Sequence, residues 1–238
     1  MKSLKNIFNL YLTLAFWSMN ILYVITSFIP LLVVMALCPK YARAIAVGWA
    51  RACMGVCFLP VKVIGKENIP QGPVIIACNH TSMLDIHLVL GYFPKPFAFL
   101  MKEELFKIPL FGTAVKLLGF LPVNRSNPRR AVETLKAAAA SIHNGKSVLI
   151  YPEGTRNREN ELLPFKMGIM RIAVDAQVPI LPIAVVGCSK SLPSTKELMH
   201  WHRLEIHIGK PIPAPTENKQ NQEIYLENLR QTIQQLKH

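Results

Sequence analysis

The chain has 238 residues, a formal charge of +13 and a pI near 9.7, which is the size of one ordinary domain with a surface that favours anionic partners. Apolar residues make up 51% of it. That content suits a lipid-facing protein and argues against nucleic acid as the anionic partner. The five cysteines, Cys38, Cys53, Cys57, Cys78 and Cys188, show neither a paired framework nor zinc-site spacing. They read as reduced thiols in apolar surroundings, although Cys53 and Cys57 fall one helical turn apart. No metal site is expected.

No charged residue occurs between Lys5 and Lys40, so Ile7 to Cys38 is a membrane candidate. A straight helix of that length would run to about 50 Å against a hydrocarbon core of about 30 Å. It therefore either tilts and ends early as a single span or bends at Pro30 as a re-entrant or interfacial hairpin. Basic residues flank both ends, with Lys2 and Lys5 before it and Lys40, Arg43 and Arg51 after it, which favours both ends on the cytoplasmic side. The overlong run lacks a clear small-residue cleavage site, so a retained anchor is expected rather than a signal peptide. Tyr41 to Leu59 then suits an interfacial helix. Residues 1–60 are accordingly expected to form the anchor and 61–238 the catalytic domain, with the protein on the cell inner membrane and that domain facing the cytoplasm.

From Val61 the pattern becomes α/β, with a mixed sheet flanked by helices. Strands are expected at Val61–Ile64, Val74–Ala77, Phe97–Met101, Phe120–Val123, Val148–Tyr151, Ile180–Val186 and Leu204–Ile208. Asn127 as cap, Pro128 at the first position and Gly145 as stop predict a helix over Pro128–Asn144. Tyr225, Leu229, Ile233 and Leu236 lie at helical spacing in a tail that docks on the domain.

Three segments carry chemistry. ACNHTSMLD at 77–85 ends a strand in Asn79-His80, and Asp85 comes five positions later. With Ser82 as N-cap, His80 falls on the loop and Asp85 in the first helical turn, close enough to face the imidazole. A carboxylate there would fix the ring tautomer and leave the other nitrogen to take a hydroxyl proton. The same residues also satisfy a capping-box pattern from Ser82 to Asp85. YPEGTR at 151–156 places Glu153, Gly154, Thr155 and Arg156 in one loop, where Glu153 could accept hydrogen bonds from a polyol, Gly154 lets amides approach a ligand, and Arg156 can fork onto a phosphate. GFLPVNR at 119–125 ends a strand with Arg125. Each segment alone also fits a surface or capping role.

In order and spacing, these segments resemble the glycerolipid acyltransferase family, which includes lysophosphatidic acid acyltransferases. The resemblance covers roughly Pro73 to Val186 and takes in NHTSMLD, GFLPVNR, YPEGTR and the VPILPIA run at 178–184. PFKMG at 164–168 and the Lys102 region are familiar but less diagnostic. Tyr151 stands where Phe is commonest, and Asn124 where an acid is frequent.

The resemblance implies direct transfer of a fatty acyl group from acyl-coenzyme A or acyl carrier protein to the sn-2 hydroxyl of lysophosphatidate, giving phosphatidate. It casts His80 as general base and Asp85 as its support, with Arg125 and the EGTR loop holding the acceptor. It implies no covalent acyl-enzyme and no cofactor. The chemistry agrees, because a thiol of pKa near 8.5 leaves as thiolate with little acid help. The helix start near Ser82 would offer amides to developing negative charge. Glycerol 3-phosphate, another lysophospholipid or an acylated amino lipid is the alternative acceptor, and a non-enzymatic lipid-binding membrane protein the alternative class. A Ser–His–Asp hydrolase is disfavoured, since no GxSxG elbow is present.

Overall fold

The computed structural model describes residues 2–22, 33–34, 36–124, 128–159, 161–193, 197–215 and 219–238. Pro30, Arg125 and Asn127 lie outside them. Seven strands, β1 (Val61–Ile64), β2 (Ile75–Cys78), β3 (Phe97–Lys102), β4 (Leu121–Val123), β5 (Ser147–Ile150), β6 (Ile180–Val186) and β7 (Leu204–Ile208), run in the order β1-β7-β6-β2-β5-β3-β4. The described helices are α1 (Lys2–Leu22), α2 (Ala42–Val56), α3 (Leu84–Tyr92), α4 (Phe111–Leu117), α5 (Pro128–His143), α6 (Gly168–Ala176), α7 (Cys188–Ser191) and α8 (Lys219–Leu236). Each expected strand is found, three with the expected bounds and the others shifted by one residue at one or both ends. The chain divides into two compact units that interleave along the sequence: Met1–Val63 with Thr81–Phe93 and Val185–Ile206, and Ile64–His80 with Pro94–Ala184 and His207–His238.

In the second unit, β2 pairs in parallel with β5 and with β6, and β3 pairs in parallel with β5 and β4. IIAC of β2 and SVLI of β5 are buried along their whole length. Such unbroken apolar runs belong to parallel strands covered on both faces, where no polar-out alternation is wanted. Their cover includes Ala138 and Ile142 of α5, Ile169, Met170 and Ala173 of α6, and Leu226, Leu229 and Ile233 of α8. α5 stops at Gly145, whose φ of +82° lets its N–H reach the Ile142 carbonyl and the Lys146 N–H the Ser141 carbonyl, closing the helix end as a glycine cap does. Tyr225 and Leu236 are only partly buried against this core, at the margin of the stripe expected for α8. Ala77 of β2 stands opposite Ile150 of β5. The carboxyl ends of these two strands therefore lie side by side, and the loops leaving them must meet.

In the first unit, α2 buries Ala42, Ala46 and Ala50 at a spacing of four, leaving a small-residue groove on that face. Gly91 of α3 fits the groove closely, since a methyl group there would stand 3.4 Å from the Ala50 Cβ and the Arg51 backbone nitrogen, and Arg51 Nε donates to the Gly91 carbonyl at 2.8 Å. α1 buries Leu12 and Phe16 while leaving Leu4, Ile7, Phe8, Leu10 and Leu14 exposed. It is apolar on both sides, the mark of a helix with more than one apolar surrounding. Among the described residues no helix is long and apolar enough to cross a membrane. All five cysteines are free thiols, and burial pushes Cys53 up to about 12 and Cys57 to about 11, so both stay protonated at neutral pH.

Buried His87 of α3 lies beside the Phe16 and Trp49 rings, with Nε2 3.2 Å from Asn20 Oδ1 on α1. Burial lowers its pKa from 6.5 to about 4, the Met83 backbone opposing the shift. Above pH 6.5 the neutral ring costs the fold nothing. Between pH 6.5 and about 4 the unfolded chain takes up a proton that the fold refuses, so stability should fall by about 3 kcal/mol as pH drops through this window. Urea unfolding at pH 7 and pH 4 measures this, and His87→Gln should flatten that part of the pH dependence.

Candidate active site

β2 ends at Cys78, and two residues on comes His80. β5 ends at Ile150, and Tyr151 to Arg156 come directly after it. The side-by-side strand ends bring these loops together. The Tyr151 ring stacks on the His80 imidazole, centroids 4.0 Å apart and planes inclined by 18°, with Phe99 of β3 stacked further along at 6.3 Å. Glu153 Oε1 accepts the His80 N–H at 3.2 Å, and the His80 carbonyl accepts the Asn157 N–H at 2.7 Å. The backbone on either side of the imidazole is thus bonded to the EGTR loop.

Glu153, expected to accept hydrogen bonds from a polyol, has its carboxylate turned inward. It is 3% exposed, and beside His80 it takes the Asn157 Nδ2 and the Leu163 N–H on Oε2, each at 3.0 Å. Inward donors hold both oxygens, since a buried carboxylate is costly unless hydrogen-bonded. Gly154 has φ +71°, a left-handed conformation that L side chains rarely adopt, so the turn favours glycine. Thr155 and Arg156 are exposed. Arg125 lies outside the described residues. Asn124, just before it, donates to Glu103 Oε2 at 2.5 Å, so an acid reaches this position from the end of β3.

Asp85 is fully buried in the first turn of α3. Its Oδ2 accepts the Thr81 N–H at 2.6 Å and the Ser82 N–H at 2.8 Å, and its Oδ1 the Thr81 hydroxyl at 3.2 Å. The bond to Ser82 is the one that a capping box would make if Ser82 were the cap. The cap itself is Met83 rather than Ser82, and the Ser82 hydroxyl instead donates to the Leu192 carbonyl and accepts the Leu84 N–H. The Thr81 and Ser82 amides, expected to face developing negative charge, are thus spent on Asp85. Asp85 fixes the turn that begins one peptide bond after His80.

The family model described as acyltransferase matches residues 60–186. The chain is 34% identical to the 1-acyl-sn-glycerol-3-phosphate acyltransferase BAT2, chloroplastic, of Brassica napus over 73% of its own length and 51% of that protein. It is also 34% identical to the 1-acyl-sn-glycerol-3-phosphate acyltransferase of Saccharomyces cerevisiae, over 67% of its own length and 53% of the yeast protein. The crystal structure of the 1-acyl-sn-glycerophosphate (LPA) acyltransferase PlsC from Thermotoga maritima matches with a TM-score of 0.82 and 28% identity, covering 98% of this chain and 96% of that one. With its α/β sheet and the family-model match over residues 60–186, the chain belongs to the acyltransferase family. It spans about half the length of the curated relatives it matches.

Glu153→Gln tests the buried carboxylate. The amide keeps the shape but offers one accepting oxygen, leaving a buried donor facing an NH2 group. Unfolding free energy should fall by about 1–3 kcal/mol, read by chemical denaturation, while Thr155→Ala at the exposed neighbour should stay within about 0.5 kcal/mol.

Proposed function

We propose that the protein transfers a fatty acyl group from an acyl thioester to the sn-2 hydroxyl of lysophosphatidate, yielding phosphatidate for phospholipid synthesis. The observation that carries this reading is the placement of His80 at the β2 end, braced by Tyr151 and Glu153, in a chain related to proteins named for this activity. His80 takes the proton of the acceptor hydroxyl as its oxygen attacks the thioester carbonyl. Collapse of the tetrahedral adduct expels thiolate, and the imidazolium returns the proton to it. No group on the protein is acylated. Asp85 supports the base by holding the turn behind it, and Arg156 with Arg125 grips the acceptor phosphate through charge-assisted hydrogen bonds. The donor is acyl-coenzyme A or acyl carrier protein, both polyanionic and suited to a chain of charge +13.

We also assign the apolar outer side of α1, with Leu4 73% exposed, to the bilayer, with the catalytic residues on the cytoplasmic side of the inner membrane. A lysolipid acceptor resides there, so attachment puts enzyme and acceptor in one phase. The protein should stay with membrane vesicles through a 1 M salt wash, because apolar burial is insensitive to screening. Release by salt alone would refute the assignment.

His80→Ala should lower turnover by about 10²–10⁴-fold in a folded protein; near-normal turnover ends the base assignment. Arg156→Ala and Arg125→Ala should each lower kcat/KM toward lysophosphatidate by about 10- to 150-fold. Each should change little toward monoacylglycerol, which has no phosphate to grip. Equal losses for both acceptors in folded variants would remove the clamp.

A further inference from the structure

Asn157 lies just past the EGTR loop, takes no part in the chemistry above, and bonds both Glu153 and the His80 backbone. It is 7% exposed. Its Nδ2 donates to Glu153 Oε2 at 3.0 Å and to the Glu161 carbonyl at 2.7 Å, and its Oδ1 accepts the Glu159 N–H at 3.0 Å. These bonds fix the loop so that its own N–H meets the His80 carbonyl at 2.7 Å. They also orient Glu153, whose other oxygen takes the His80 N–H. Both backbone polar groups of His80 therefore depend on this side chain, one through the Asn157 peptide and one through Glu153.

We propose that Asn157 is a positioning residue for His80, setting the backbone from which the imidazole projects. The proposal rests on His80 being the general base. A base displaced by a fraction of its reach loses rate without weakening substrate binding. A mere loop brace would instead lower stability and leave kcat alone. The charged groups around the amide are Glu153, Glu161 and Lys237, on which both carboxylates act electrostatically, with Arg158 and Glu159 on the same loop.

The test uses the full chain with oleoyl-coenzyme A and lysophosphatidate in detergent micelles, with thermal unfolding measured alongside. Asn157→Ala should lower kcat by about 10- to 100-fold, with KM for the acceptor within about twofold of the parent and the protein folded at the assay temperature. Asn157→Asp keeps the shape but sets a second carboxylate against Glu153. Its deficit at pH 7.5 should shrink as the pH falls toward 5, because the introduced carboxyl, once protonated, can again donate to Glu153. The ratio of its rate to that of the parent should therefore rise on acidification, while the ratio for Asn157→Ala stays flat. This isosteric variant carries the test if the alanine variant does not fold.

Unchanged kcat in folded Asn157→Ala, a loss expressed in KM, or a pH-independent ratio for Asn157→Asp would each overturn the proposal. His80→Ala separates the two readings. If it is inactive while the Asn157 variants turn over normally, only the positioning role falls. If it remains active, both fall.

Discussion

A carboxylate placed in a protein interior has to be surrounded by donors, and in this chain the donors of Glu153 are drawn from three different stretches. The His80 N–H comes from the end of β2, the Asn157 amide from the same loop, and the Leu163 N–H from the segment that leads to α6. Withdraw the carboxylate and three donors lose this acceptor together, although Asn157 Nδ2 keeps the Glu161 carbonyl. The arrangement of the base, the EGTR turn and the approach to α6 results from satisfying this one group. α8 reinforces it from outside, since Gln234 accepts the Leu162 N–H and Arg230 donates to the Leu162 carbonyl.

Asp85 plays the corresponding part in the first unit, gathering two amides and a hydroxyl from the turn after His80. Along the chain, the His80 N–H meets one buried carboxylate, and the Thr81 and Ser82 amides that follow it meet the other. Preorganisation of this kind suits the proposed acyl transfer from a thioester. The leaving group needs little help, and the rate depends on holding a hydroxyl, a base and a carbonyl in line.

The first unit answers a different demand. Its helices bury a narrow inner stripe, with alanines on α2 admitting α3 closely, and leave large apolar side chains on the outer side of α1. Such a helix is solvated neither well by water nor fully by protein, and this is the observation behind the proposed lipid contact.

Local pattern in the sequence was enough to locate every strand, α5 with its glycine stop, and the stripe of α8, because β periodicity, caps and positive-φ glycines act over a few residues. It also sufficed for the link between Asp85 and Ser82, which are three positions apart. It did not tell which way Glu153 turns, since nothing in PEGT distinguishes outward from inward, and the structure turns it inward. It missed Asn157, an ordinary loop residue whose only available signal was its place next to Arg156. The juxtaposition of His80 with Tyr151 and Glu153 was decided by tertiary structure alone. It depends on β5 inserting between β2 and β3 in a parallel sheet, and the resulting bond between His80 and Glu153 spans 73 residues. Periodicity within a strand states that it is buried, while the identity of its neighbour depends on how the helices between strands pack across the sheet.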